Sequence, residues 1–186
     1  IAYWVSDRVK EIFEKSEKLG EIIDITGSQN ITANNEKYLR YIWEIEKNKT
    51  ANKWVTYSKG GDLRKWYGNL DISVDWSEEA RIFYKTNKTS NLLDEKYWLR
   101  NGIGYTDVTS SGVSMRYYEK FIFDKSGPAF FPYKNLEYIL AFTNTKFVRE
   151  ISKIINPTIH FQVKDVKSLP IIFPNNENIK KLIDKL

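Results

Sequence analysis

Cations and aromatic rings interleave in three stretches of the sequence: KGGDLRKWYGN (59–69), KYWLRNGIGY (96–105) and MRYYEKF (115–121). Arg and Lys can hold phosphates while Trp, Tyr and guanidinium faces stack on bases or meet their edges, so the pattern suits a nucleic-acid surface. A fourth stretch, TGSQNITANN (26–35), is rich in side-chain amides of the kind that pair bidentately with adenine. The Gly60–Gly61 pair invites a phosphate-cradle reading. It lacks the downstream Gly-Lys-Ser/Thr of a P-loop, and no GxGxxG follows a strand, so a nucleoside-triphosphate site is not indicated.

Other chemistries are poorly supplied. The chain has no cysteine and a single histidine, His160, which removes thiolate chemistry, disulfides and histidine-rich metal sites and disfavours a Ser–His–Asp triad. His160 falls in the alternating run TIHFQV, where a hydrogen-bonded structural histidine is expected. Asp165 stands two residues before Lys167, the spacing of half a metal-dependent nuclease site, with Asp75 or Asp124 as the further acid such a site needs.

The elements that must position these residues read as one α+β domain. The 186 residues are 41% hydrophobic and 15% aromatic, enough for a core, and the net charge of +5 permits an anionic partner without demanding one. Ser6 is placed to cap a helix that Gly20 stops, and EIIDITGSQN then reads as strand and loop. KYLRYIWEI is expected to be a strand. Asp62 is expected to cap one helical turn with Leu63, Trp66 and Tyr67 on the core face, leaving Arg64 and Lys65 outward. NLDISVDW alternates Leu70, Ile72, Val74 and Trp76 as a half-buried strand. Ser77 can cap the helix that follows it, and VSMRYYEKFIFD reads as a strand pair. NLEYILAFTNTKFVREISKIINP reads as two helices broken at Thr143–Thr145 and ended by Pro157. The terminal NNENIKKLIDKL spaces Ile179, Leu182, Ile183 and Leu186 as a helical seam. No apolar run approaches the roughly 20 residues of a membrane span, and no membrane partner is expected. The opening IAYWVSDRVKEIF is neither Met-initiated nor built like a signal peptide, and reads as cut from something longer.

Taken in order, ITGSQNITANNEKYLRYIWEI, KWVTYSKGGDLRKWYGN, LRNGIGYTDVTSSGVSMRYYEKFIFDKSGPAFFP and LAFTNTKFVREISKIINPTIHFQVKDVKSLPI resemble part of the large adenine-specific DNA methyltransferases of phage-exclusion (BREX) systems and their type II restriction-modification relatives. A looser likeness runs to the specificity subunits of type I restriction enzymes. The resemblance implies a target recognition domain over residues 1–174, with 175–186 beginning a spacer helix. It implies double-stranded DNA as partner, together with the catalytic domain of the same parent chain, and a cytoplasmic location. It also implies S-adenosylmethionine as the parent's cofactor and none in this chain. The family's Asn-Pro-Pro-Tyr loop has no counterpart, since Asn156–Pro157 continues as Thr158–Ile159. Residues expected to contact DNA are Thr26, Gln29, Asn30, Lys59, Arg64, Lys65, Arg100, Tyr105 and Arg116. Gln29 and Asn30 are expected to read bases and the cations mostly to hold phosphate. A small nuclease built on Asp165 and Lys167, and a protein-docking module using the aromatics, remain alternatives.

Overall fold

The computed structural model describes residues 5–46, 53–108, 110, 112–177, 179 and 181. Most of the terminal stretch lies outside that set, including Leu182, Ile183 and Leu186 of the expected seam.

Helices and a mixed sheet form an α+β fold. The helices are α1 (Asp7–Lys15), α2 (Asn35–Tyr38), α3 (Glu78–Thr86), α4 (Leu136–Thr143), α5 (Lys146–Ile155) and α6 (Val163–Lys167). The strands are β1 (Glu17–Lys18), β2 (Ile23–Ile25), β3 (Leu39–Tyr41), β4 (Trp54–Ser58), β5 (Ile72–Asp75), β6 (Arg100–Tyr105), β7 (Met115–Phe123), β8 (Ala129–Pro132) and β9 (Pro170–Ile171). Seven strands join in the order β2-β8-β6-β7-β4-β5-β3, and β1 pairs with β9 separately. All neighbours in the large sheet are antiparallel except β4 and β7.

Each face of the sheet covers its own core. Alternation along β6 and β8 sends Ile103, Tyr105 and Phe130 into a core completed by Ile139 of α4, Val148 and Ile151 of α5, and Val166 of α6. Ala129 and Phe131 point the other way, into a second core with Tyr57, Val74, Tyr84, Tyr118, Phe121 and Phe123. Glycine makes the second core possible. A Cβ on Gly102 would meet the Phe131 ring at 2.7 Å, and one on Gly104 the Tyr118 ring at 2.6 Å, so both rings lie directly on the β6 backbone.

Several local expectations hold. Ser77 caps α3 by accepting from the Ala80 N–H, and Thr145 does the same for α5 through the Val148 N–H. The break between α4 and α5 lies where Asn144 and Thr145 separate them. Leu70, Ile72, Val74 and Trp76 all join the second core.

Others need correction. The stretch expected as a strand pair is a single strand, β7, bent at Lys120 with φ 43°. One side of β7 pairs with β6, while its last two residues pair with the end of β4. Gly20 does not stop α1, which ends at Ser16; instead Gly20 lets the Lys167 backbone and stem approach. KYLRYIWEI is a helical turn, a short edge strand and a 3₁₀ turn rather than one strand. TIHFQV contributes only an isolated bridge, Val108 to His160, before α6 begins.

Candidate nucleic-acid interface

Five connecting segments gather around one cleft, held together by backbone bonds. Asp107 N–H donates to the Ser126 carbonyl (3.1 Å), Phe161 N–H to the Asp107 carbonyl (2.7 Å) and Asn30 N–H to the Phe123 carbonyl (3.0 Å). The Ser58 hydroxyl donates to the Gly127 carbonyl at 2.9 Å, tying the end of β4 to the β7–β8 turn. That approach is too close for side chains. A Cβ on Gly127 would lie 2.3 Å from the Gly60 nitrogen, and Gly60 itself has φ 74°. The glycine pair is therefore a joint that lets two loops touch.

The cleft, about 330 Å³, is lined by Thr26, Gly27, Ser28 and Gln29 on one side, and by Asp107, Asp124, Lys125, Gln162 and Lys164 on others. A second recess of about 470 Å³ continues from it past Asn156, Thr158 and His160. The acids within are committed inward. Asp124 Oδ1 accepts from the Ser126 N–H (2.8 Å), the Ser126 hydroxyl (2.7 Å) and the Gly127 N–H (3.2 Å), while Oδ2 pairs with Lys59 at 3.2 Å. Asp107 Oδ2 lies 3.3 Å from His160 Nδ1. Lys125 and Lys164 are exposed, and among the described residues no carboxylate pairs with either. Buried side chains nearby are set electrostatically by this arrangement. Burial, and then the Asp124 carboxylate, push the Tyr57 phenol up, and burial with Asp107 and Asp165 does the same to Tyr105. Both phenols stay neutral at ordinary pH.

The residues singled out in the sequence separate into three groups. Thr26 and Gln29 line the cleft, Thr26 with its hydroxyl accepting from the Ser28 N–H at 2.9 Å. Lys59, Arg64 and Lys65 lie on the adjoining glycine segment. Arg64 is exposed, while the Lys65 ammonium donates to the Asn144 carbonyl at 2.7 Å. The remaining four are not surface readers. Asn30 is 0% exposed, its carbonyl accepting from the Tyr57 hydroxyl at 2.7 Å. Tyr105 and Arg116 are also 0% exposed. Arg100 sits at the opposite end of β6, paired with Asp24 at 2.8 Å and stacked 4.2 Å from the Phe131 ring centroid.

Arg116 is the largest departure from expectation. Its guanidinium donates to Thr106 Oγ1 (2.9 Å), the Arg64 carbonyl (3.3 Å), Ser114 Oγ (3.3 Å) and Tyr118 Oη (3.3 Å). Thr106 in turn donates to the Gly61 carbonyl at 3.2 Å. Arg116 therefore braces the glycine segment from beneath, as a cation spent on neutral acceptors.

That segment is also unlike the expected capped turn. It is extended, with an isolated parallel bridge from Trp66 to Arg116, and Leu63, Trp66 and Tyr67 point to solvent rather than into the core. The nuclease geometry fails as well. Asp165 Oδ2 accepts from the Gln162 N–H and the Asn156 amide, both at 2.8 Å, as the N-terminal cap of α6. Residues two apart share a face on a strand but not on a helix, and here Asp165 is buried while Lys167 is exposed. Among the described residues no cluster of three or more His, Cys, Asp or Glu could hold a metal ion. Lys125 and Lys164 were missed in the sequence. The only available signal for Lys125 was its place in Asp124–Lys125–Ser126–Gly127, a turn signature that says nothing of charge.

The geometry defines a single α+β unit whose loops form a polar cleft, rimmed by exposed lysines, with a shape and charge suited to an anionic partner. Over its whole length the chain is 32% identical to the adenine-specific methyltransferase BrxX of Escherichia coli O9:H4 (strain HS). It is 28% identical, again over its whole length, to the adenine-specific methyltransferase PglX of Lacticaseibacillus casei (strain Zhang). It spans about a sixth of the length of either relative. No family model matches the chain. Among the described residues no helix is long and apolar enough to cross a membrane.

Proposed function

We propose that this chain is the DNA target recognition segment of an adenine-specific DNA methyltransferase of phage-defence type. The observation that carries the reading is the full-length match to a segment of two adenine-specific methyltransferases, in a chain with no Asn-Pro-Pro-Tyr loop of its own. The cleft supports it. Thr26, Ser28 and Gln29 offer hydroxyl and amide groups for base edges, while Lys125, Lys164 and Arg64 on the rim suit phosphates. Double-stranded DNA is the partner. A catalytic domain elsewhere in the parent polypeptide, using S-adenosylmethionine, would flip and methylate the adenine. Such a protein works where the chromosome is, in the cytoplasm.

Fluorescence anisotropy of the chain on mixed-sequence duplex DNA, titrated with salt, tests this. Affinity should fall log-linearly with salt, and replacing both Lys125 and Lys164 by Ala should flatten the slope by about 1.8. Absence of duplex binding at low salt would remove the reading.

A further inference from the structure

The backbone between Gly60 and Asn69 is held in an unusual form. Gly60 (φ 74°), Gly61 (108°), Trp66 (73°), Gly68 (126°) and Asn69 (55°) all lie in the left-handed region. Glycine and asparagine occupy it at low cost, but a bulky Trp there is a genuine outlier that persists only where the surroundings over-determine it. They do. The Trp66 N–H donates to the Met115 carbonyl at 3.0 Å and the Trp66 carbonyl accepts from the Tyr117 N–H at 2.9 Å. Arg116 holds the Arg64 carbonyl, and the Asn69 amide donates to the Asp62 carbonyl at 3.0 Å.

The side chains that this scaffold presents are not used to pack the fold. Leu63 is 45% exposed, Trp66 50% and Tyr67 67%, although each is apolar enough to gain from burial. Arg64 and Lys65 stand exposed between them, and Thr106 bonds the loop to the residue next to Asp107 of the cleft. An apolar tip set between cations and continuous with the cleft fits a polyanion that carries stacked rings.

We propose that Leu63, Trp66 and Tyr67 form an apolar wedge that inserts at a base step of duplex DNA, while Arg64 and Lys65 hold the flanking phosphates. The proposal rests on the DNA-recognition reading above. Wedges of this kind unstack a step and gain from contact with the exposed base faces. Rigidity favours this one, because the loop is locked before DNA arrives and little ordering remains to be done. The strain at Trp66 is then the cost of aiming its ring outward.

The test uses the full chain and two duplexes of one mixed sequence, intact or carrying an abasic site that breaks the stack in advance. Wild type should prefer the broken duplex by about tenfold, since the unstacking cost is already met. Trp66→Asn suits the left-handed backbone, so it should melt at or above the wild-type temperature while losing that preference and about tenfold in affinity. Tyr67→Ser, at an exposed ring away from the strained position, should weaken binding in the same direction. Wild-type affinity and preference in Trp66→Asn would overturn the wedge while leaving the recognition reading intact. A lower melting temperature in Trp66→Asn would overturn it too, by showing the ring to be structural. Failure of the wild-type chain to bind either duplex would remove the reading and the wedge together.

Discussion

Arg116→Met separates a buried brace from a surface phosphate contact. Methionine fills most of the stem's volume, so little cavity opens and the change reports the guanidinium. Four hydrogen bonds are lost, and three of them are 3.3 Å long. At the low end of the range for charged donors, about 1.5 kcal/mol each, they amount to roughly 6 kcal/mol. Opposing this, removal of a fully buried cation, with no carboxylate partner among the described residues, recovers a desolvation penalty of several kcal/mol. The difference is a net loss of about 2–3 kcal/mol, because the Ser114 hydroxyl and the Arg64 carbonyl are left without this donor. Urea unfolding should therefore show a lower midpoint at unchanged m-value. The slope of DNA affinity against salt should hold its wild-type value, since a buried guanidinium displaces no counterions. Unchanged stability with a slope flatter by about 0.9 would refute the reasoning and return Arg116 to the DNA surface.

The ion pair at the far end of β6 gives a pH signature. Burial acts against the charged form of Asp24, but hydrogen bonds from Arg100 and Tyr97 prevail and hold its carboxyl below the ordinary range. A depressed folded-state value means the contribution is complete at neutral pH and disappears as pH falls below about 4. Asp24→Asn should accordingly lower stability at pH 7 by about 1 kcal/mol, both side chains being partly exposed, with less difference from wild type at pH 3. Gly104→Ala should cost about 1–3 kcal/mol by thermal melting, because its Cβ would enter the Tyr118 ring, itself stacked 4.8 Å from Phe121. Gly27→Ala, with open space around it, is the control that should melt unchanged. Asp165→Ala should destabilise by about 1–2 kcal/mol through loss of the α6 cap, and neither it nor wild type should cleave DNA with magnesium present. Cleavage by wild type that the variant loses would restore the nuclease reading.

What could be seen in the sequence was local and periodic. Ser77 and Thr145 cap helices because hydroxyls at those positions reach N–H groups three residues on, which spacing alone reveals. The core alternation of Leu70 to Trp76 was equally legible. What stayed hidden depends on partners distant in sequence. Arg116 alternates with Met115 and Tyr117 like any surface cation, and only the approach of Arg64, Thr106 and Ser114 turns it inward. KGGDLRKWYGN failed in the opposite sense. Its Leu63, Trp66 and Tyr67 spacing imitates a helical face, but bridge bonds to β7 hold it extended and turn those rings to solvent.

These departures change which cations can serve a phosphate backbone. A lysine already neutralising Asp124, as Lys59 does, must give up that pair before it releases a counterion to DNA. Its loss would also unbalance an acid that organises the β7–β8 turn. Arg116 and Arg100 are spent on the fold in the same way, one on neutral acceptors and one on Asp24. Lys125, Lys164 and Arg64 are the exposed cations beside the cleft and its adjoining loop, and all three stand on turns or helix starts rather than on the sheet. The rigid sheet and its two cores thus consume the cations within them, and the electrostatic grip belongs to the connections. Specificity can then vary by exchanging loops while the glycine contact at Gly60 and Gly127, which admits no side chain, keeps those loops in place.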